Sequence, residues 1–326
     1  RGLSYYIDPE EPLMSKEESI FFRKESFNGV LNLSAKKIVN HFEEEKISIT
    51  TLAKLSDFSL GRVLPTFTLL DHPKETASIV SKELYPKFKP KTKEFLKSLI
   101  YQLSEYKIFV FEFIETWNKK DKANVEGFFL APNAIVLKRQ QRALRREVFT
   151  LAHELGHYLL NIEEVDEKVE FETFGNDSVN RVERWCSDFA YYFLMRDLDS
   201  FLLEIETASA RNDYHYDFLE GISSQTHVST LSLYTRLLLN KKISFNNYNL
   251  VKSEILQSIK DREDERRLKE EIKEGEQAKK KGSAPKPILS PLYIQTLQSA
   301  YLEGIIGEMD YCRQLNIKPE KIELYF

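Results

Sequence analysis

The sequence predicts an α+β fold that is mostly helical and carries one small antiparallel sheet. Three observations lead there. Through most of the chain apolar residues recur at three-and-four spacing, the pattern of amphipathic helices. Two stretches near the middle, "KIFVFEFI" and "GFFLAPNAIVLK", are instead short, aromatic and β-branched, which suits strands. And 326 residues are enough for two or three compact units with at least one well-buried core.

Composition narrows the function classes. Apolar residues make up 42% and charged residues 30%, the balance of a soluble globular protein. A net charge of −4 offers no general attraction to nucleic acid, so a DNA contact would need a local basic patch. The two cysteines, Cys186 and Cys312, stand far apart and in no metal-like spacing. That argues against a secreted disulfide scaffold and for a reducing, cytoplasmic setting. No apolar run of about 18 residues occurs, and "RGLSYYIDPEEP" lacks the order of a signal peptide, so no membrane association is expected. The chain starts with Arg rather than Met, as expected of a piece of a longer protein.

Five regions follow in order. Residues 1–76 form a linker-like, partly helical region with the patterns "AKKIVNHFEEEK" and "SITTLAKLSDF", where Ser48 or Thr50 is placed as an N-cap. Residues 77–198 are the most ordered-looking part. There "ETASIVSKELY" and "TKEFLKSLIYQLSEY" read as helices, the two aromatic stretches as strands around Pro132 and Asn133, and "VNRVERWCSDFAYYFLM" as a long helix. Residues 199–256 are helical and include "ISSQTHVSTLSLYTRLLLNKKIS". Residues 257–287 hold "KDREDERRLKEEIKEGEQAKKK", with nine basic and eight acidic residues, which reads as a solvated helix, and then the linker "GSAPKP". Residues 288–326 are a short helical tail. No internal repeat is present.

The most informative stretch is "FTLAHELGHYLL", Phe149–Leu160. In a helix, positions four apart lie on one face, so His153 and His157 can offer nitrogens to a single ion. Glu154 stands at the edge of that face, placed to act as general base on an attacking water. Val148, Ala152, Leu155 and Leu159 form a separate apolar stripe for the core. Gly156 costs a helix interior about 1 kcal/mol, and its missing side chain beside the histidines would let another element approach. Two histidines by coincidence is the bland reading. With six histidines in the chain, the chance expectation for the pattern is on the order of 0.01.

A tetrahedral zinc site then lacks one protein ligand. A third histidine in the extended pattern is excluded, since Leu160 and Glu163 occupy the diagnostic positions. By type, His215 and His227 remain candidates. So does Glu183, which follows His157 after room for a loop and a return helix and is anchored by Trp185, Phe189 and Tyr192. Glu163, Glu164, Glu167, Glu170 and Glu172 are alternatives in a polar run without rigid support.

"FTLAHELGH", followed by a helix with a glutamate, then "FA" and "LM", resembles the ImmA/IrrE family of bacterial metallopeptidases. The family's second helix has Glu, then an Ala-Asn pair, then Phe-Ala, and ends in Leu-Leu-Met-Pro. This chain has Glu183, Cys186-Ser187, Phe189-Ala190 and Phe193-Leu194-Met195, with Arg196 in place of the Pro. The resemblance implies a zincin-like metallopeptidase core in which Glu183 is the third ligand to Zn²⁺, with Mn²⁺ as an alternative ion. The missing Asn bears on hydrogen bonds behind the ligands, not on the ligand set. The resemblance extends from Ala77 to Ile243, where "VSTLSLYTRLLLNKKIS" is similar to the family's helix-turn-helix-like segment. The N-terminal "LSYYIDPEEPLMSKEESIFFRK" resembles the segment joining a DNA-binding domain to the peptidase in longer relatives.

The implied function is zinc-dependent cleavage of a protein regulator, a helix-turn-helix repressor, in a stress, mobile-element or phage-defence response. The competing reading is a non-catalytic regulator that uses the same fold to bind a partner or DNA. An oxyanion donor is expected among Tyr158, Tyr191, Tyr192, Tyr214, His215 and Tyr216, with "YHY" (Tyr214–Tyr216) at a plausible distance downstream. The helix-turn-helix-like segment holds only Arg236, Lys241 and Lys242 as basic residues, so strong direct DNA binding is not expected. Nothing in the sequence sets an oligomeric state.

Overall fold

The computed structural model describes residues 31–87, 89, 91–115, 121–139, 144–163, 181–206, 215–274 and 287–325. The linker-like segment 3–24, Glu164, Glu167, Glu170, Glu172 and Tyr214 lie outside the described residues.

Helix α1 (Leu33–Leu55) joins the two N-terminal patterns into one element of 23 residues. Its cap is Asn32, whose Oδ1 accepts from Ala35 N at 2.9 Å, whereas Ser48 and Thr50 lie inside the helix. The physical reason is an unbroken stripe: Ala35, Val39, Phe42, Lys46, Ile49 and Ala53 are buried at three-and-four spacing right across the presumed junction. Helices α2 (Pro73–Leu84) and α3 (Thr92–Glu105) follow, the first opened by Pro73 behind the capping ring of His72.

Strands β1 (Phe109–Ile114), β2 (Gly127–Leu130) and β3 (Ala134–Arg139) make a sheet in the order β1-β3-β2. It is mixed, not antiparallel: β2 pairs antiparallel with β3, and β1 pairs parallel with β3, from Phe109 opposite Ala134 to Ile114 opposite Arg139. The tight turn at 131–133 dictates the antiparallel pair. β3 is buried at every position because it is the central strand and both faces are covered.

Alternate residues feed two cores. Val110, Phe129, Ile135 and Leu137 face α3 and the histidine-bearing helix α4 (Leu144–Leu160). Phe109, Phe111, Phe128, Leu130, Ala134 and Val136 face the opposite way, onto α1 and the helices α10 (Pro291–Leu302) and α11 (Glu308–Leu315). The first and last of the five regions thus share one layer on the far side of the sheet.

Helix α5 (Arg181–Met195) lies against both α4 and α2, and a 3-10 turn at 196–198 leads into the short α6 (Asp199–Glu204). Helices α7 (Tyr216–Thr226) and α8 (Thr230–Leu239) are the helix-turn-helix-like pair. The last long helix, α9 (Phe245–Glu274), is continuous through the boundary at 256/257, just as α2 spans the one at 76/77.

At the end of the sheet sits a group of buried charges. Arg139 pairs with Glu112 of β1 and, at 2.7 Å, with Glu147 in the first turn of α4. Glu112 also accepts the amides of Ile288 and Leu289. These pairs fix where α4 begins relative to the strands and bring the C-terminal layer to the same point.

Candidate metal centre

Helix α4 has a long buried run, with every residue from Glu147 to Leu160 inside. That follows from its place between the sheet, α3 and α5, and it requires close approaches on two sides. On one side Gly156 faces α5, where an added Cβ would come within 3.1 Å of the Cα, Cβ and Sγ of Cys186. On the other, Gly127 of the edge strand β2 lets the sheet in, since a Cβ there would lie 2.6 Å from Thr150 Cγ2 and 3.2 Å from Glu154 Cγ. The two glycines therefore set the distances of α5 and β2 from the histidine helix.

Because α5 comes so close, Glu183 reaches the histidine face. Its Oε2 lies 3.0 Å from His153 Nε2 and its Oε1 3.1 Å from His157 Nε2, while the two imidazole nitrogens are 3.2 Å apart. Among the described residues this is the one group of three or more such donors close enough to share a metal ion. A tetrahedral zinc with bonds of about 2.0–2.1 Å has ligands about 3.3 Å apart along each edge. The two imidazole nitrogens stand at about that spacing and each meets one oxygen of Glu183, so the donor set fits the ion in chemistry and in approximate size.

The outer nitrogens are also engaged. His157 Nδ1 lies 3.2 Å from the carbonyl oxygen of Ile162, which can only accept, so Nδ1 carries a proton and Nε2 is the nitrogen turned toward Glu183 and His153. His153 Nδ1 lies 3.3 Å from Ser187 Oγ. Ser187 is the residue that stands in place of the Asn of the resembled pattern. Such partners orient ligating imidazoles and raise their basicity.

The electrostatics favour a cation. Burial works against charge on all three groups, yet the two imidazoles hold Glu183 well below the usual carboxylate range. Against the same burial, the Glu183 carboxylate lifts His157 well above the ordinary histidine range. His153 is lowered, by burial first and also by His157. Two adjacent imidazolium ions would repel, so a divalent ion is the better source of positive charge between these rings and Glu183. Burial pushes the neighbouring Cys186 thiol up to about 11, so it remains a protonated packing group.

Glu154 is buried and stands outside the donor triangle, on the side of α4 that meets β2. The other residues singled out from sequence have different places. His227 ends α7, packs against Phe95 with tilted rings 4.5 Å apart, and has its ring nitrogens 2.9 Å from Lys89 O and 3.2 Å from Thr92 Oγ1. It is a satisfied core histidine, away from the centre. His215 precedes α7 in a left-handed conformation and does not join the donor group, and Tyr216 begins that helix exposed. Glu163 accepts the amide of Ala131 at 2.7 Å and so clamps the β2–β3 turn. Tyr191 donates to Asp199 at 2.9 Å. Tyr158 packs under Arg62, and Tyr192 lies between the cations of Lys74 and Arg236. Sequence reasoning missed Gly127, whose only signal is a glycine at the head of an aromatic strand. It also missed the Ile162 carbonyl, a backbone group that no side chain announces.

Residues 106–238 match the family model described as the IrrE N-terminal-like domain, of the peptidase family M78. Neither curated proteins nor solved structures give a match. The matched segment contains the whole sheet, both helices of the metal centre and the α7–α8 pair, and leaves α1 to α3 and α9 to α11 outside it. This part of the chain is therefore similar to the IrrE N-terminal-like domain, a metallopeptidase-like family.

Proposed function

We propose that the protein is a zinc-dependent endopeptidase that cleaves a protein regulator, a helix-turn-helix repressor, relieving repression in a stress, mobile-element or phage-defence response. The observation that carries the reading is the convergence of His153, His157 and Glu183 beside a buried Glu154 that is not one of the donors. A purely structural zinc site has no use for that fourth group.

Held by His153, His157 and Glu183, zinc would supply Lewis acidity toward a peptide carbonyl and would acidify the attacking water. The protein's own residues do the rest. Glu154 accepts the proton of the attacking water and delivers it to the departing amine. Burial around it excludes bulk water, and β2, an edge strand held against α4 by Gly127, borders the same side. Support for a protein rather than a DNA target comes from α8. Arg236, one of three basic residues in the helix-turn-helix-like segment, is buried and pairs with Asp188 of α5 at 2.8 Å. It is committed to the fold and unavailable to a phosphate backbone.

The test is Glu154→Gln. The variant should keep its metal and its fold and lose proteolysis of a helix-turn-helix repressor by a factor of about 10² to 10⁴. Incubation with zinc or manganese followed by mass spectrometry reads the fragments. Equal cleavage by variant and parent would remove Glu154 from the mechanism. No cleavage by the zinc-loaded parent, together with an unaltered cellular phenotype in Glu154→Gln, would favour the non-catalytic regulator.

A further inference from the structure

We propose that the turn formed by Asn161, Ile162 and Glu163 is a positioning device for His157, pinned by Arg62 on one side and by Glu163 on the other. The inference rests on the metal-centre reading above and adds two residues to it.

The turn closes α4. Asn161 takes a positive φ of 54°, its amide donates to Tyr158 O at 3.0 Å, and the Ile162 amide donates to His157 O at 3.1 Å. Ile162 therefore holds His157 twice, through the backbone and through the carbonyl that accepts from Nδ1 at 3.2 Å. Whatever fixes this carbonyl fixes which tautomer the ring adopts and where Nε2 points.

Two side chains do so from different parts of the fold. Arg62, in the segment between α1 and α2, donates to Tyr158 O at 2.5 Å and to Asn161 Oδ1 at 3.4 Å, with its guanidinium 3.9 Å from the centre of the Tyr158 ring. A cation here satisfies carbonyls that the helix end leaves over and complements its negative pole. From the other side Glu163 accepts the Ala131 amide at 2.7 Å, and Lys46 of α1 holds the Ala131 carbonyl at 2.8 Å. The turn is thus tied both to the inter-helix segment and to the β2–β3 turn.

The experiment compares the full chain with Arg62→Gln, Arg62→Lys, Glu163→Ala and Glu163→Gln. Zinc affinity is measured by competition with a chromophoric chelator, and the imidazole tautomers of the zinc-loaded chain by ¹⁵N NMR. Arg62→Gln and Glu163→Ala should weaken zinc binding about 10- to 100-fold, the effect typical of outer-shell groups, and give a mixed His157 tautomer signal. Glu163→Gln keeps an acceptor for Ala131 and should restore parental affinity. Arg62→Lys keeps charge but not the planar stack, and should fall between. Variants that melt earlier yet bind zinc like the parent, with Nδ1 still protonated, would reduce both residues to structural supports and overturn the proposal. If Arg62→Gln does not fold, the Glu163 pair decides by itself. A parent chain that binds no zinc would instead sink the metal-centre reading, and this inference with it.

Discussion

Each residue of the centre is defined by the partner behind it as much as by its own chemistry. His153 and His157 are separated in role by Ser187 and the Ile162 carbonyl, which orient one ring each. That His153 and His157 would share one helical face was legible in sequence, because a helix converts spacing directly into a shared face. Glu183 was not legible by spacing: it competed with His215, His227 and five loop glutamates until the family resemblance favoured it, because a contact between helices leaves no local pattern. His227 illustrates the converse, a histidine of the right type whose nitrogens are occupied by Lys89 and Thr92. Accordingly Glu183→Ala should weaken zinc binding by more than about 100-fold, beyond the cost of an outer-shell change. His227→Gln should leave occupancy at the parental level. Metal analysis of the two purified variants checks both, and the reverse pattern would move the third ligand to His227.

At the scale of elements, close packing against α4 decides whether the site exists. Gly156 was readable as an approach point, though the sequence could not say that Cys186 would arrive there. An Ala in place of Gly normally stabilises a helix interior by about 1 kcal/mol. Here the new methyl would meet the Cys186 backbone at 3.1 Å, so α5 must shift and carry Glu183 with it. Gly156→Ala should therefore destabilise the protein by about 1–3 kcal/mol, as overpacked cores do, and loosen zinc binding at the same time. Chemical denaturation with and without zinc measures both, and a stabilised, fully metal-binding variant would show that α5 has slack. The sheet shows the opposite limit of sequence reading. Its strands were located within two residues, but the parallel β1–β3 pairing was not, since strands that are apolar on both faces do not announce their neighbours.

For the molecule as a whole, the layer made by α1, α10 and α11 was invisible in sequence because its members come from opposite ends of the described chain. It carries buried tyrosines, among them Tyr293, whose hydroxyl donates to Glu45 at 2.7 Å. Burial first, and then the Glu45 carboxylate, push this phenol above its ordinary value of 10.0. The sign follows: the unfolded chain ionises this tyrosine near pH 10 while the folded chain keeps it neutral, so the stability it contributes is complete below pH 10 and is lost as pH rises beyond. Thermal melts between pH 9 and 11 should fall more steeply for the parent than for Tyr293→Phe. Identical slopes would place the phenol in contact with solvent.

That same layer has a consequence for how the protein is made. The apolar face of the sheet, with Phe109, Phe111, Phe128 and Val136, is synthesised long before the Leu292 and Leu297 that help cover it. While the ribosome is still translating α9, the nascent chain must therefore keep a wide oily surface exposed, with α1 alone to shield it. Folding of this half can finish only after α10 and α11 emerge.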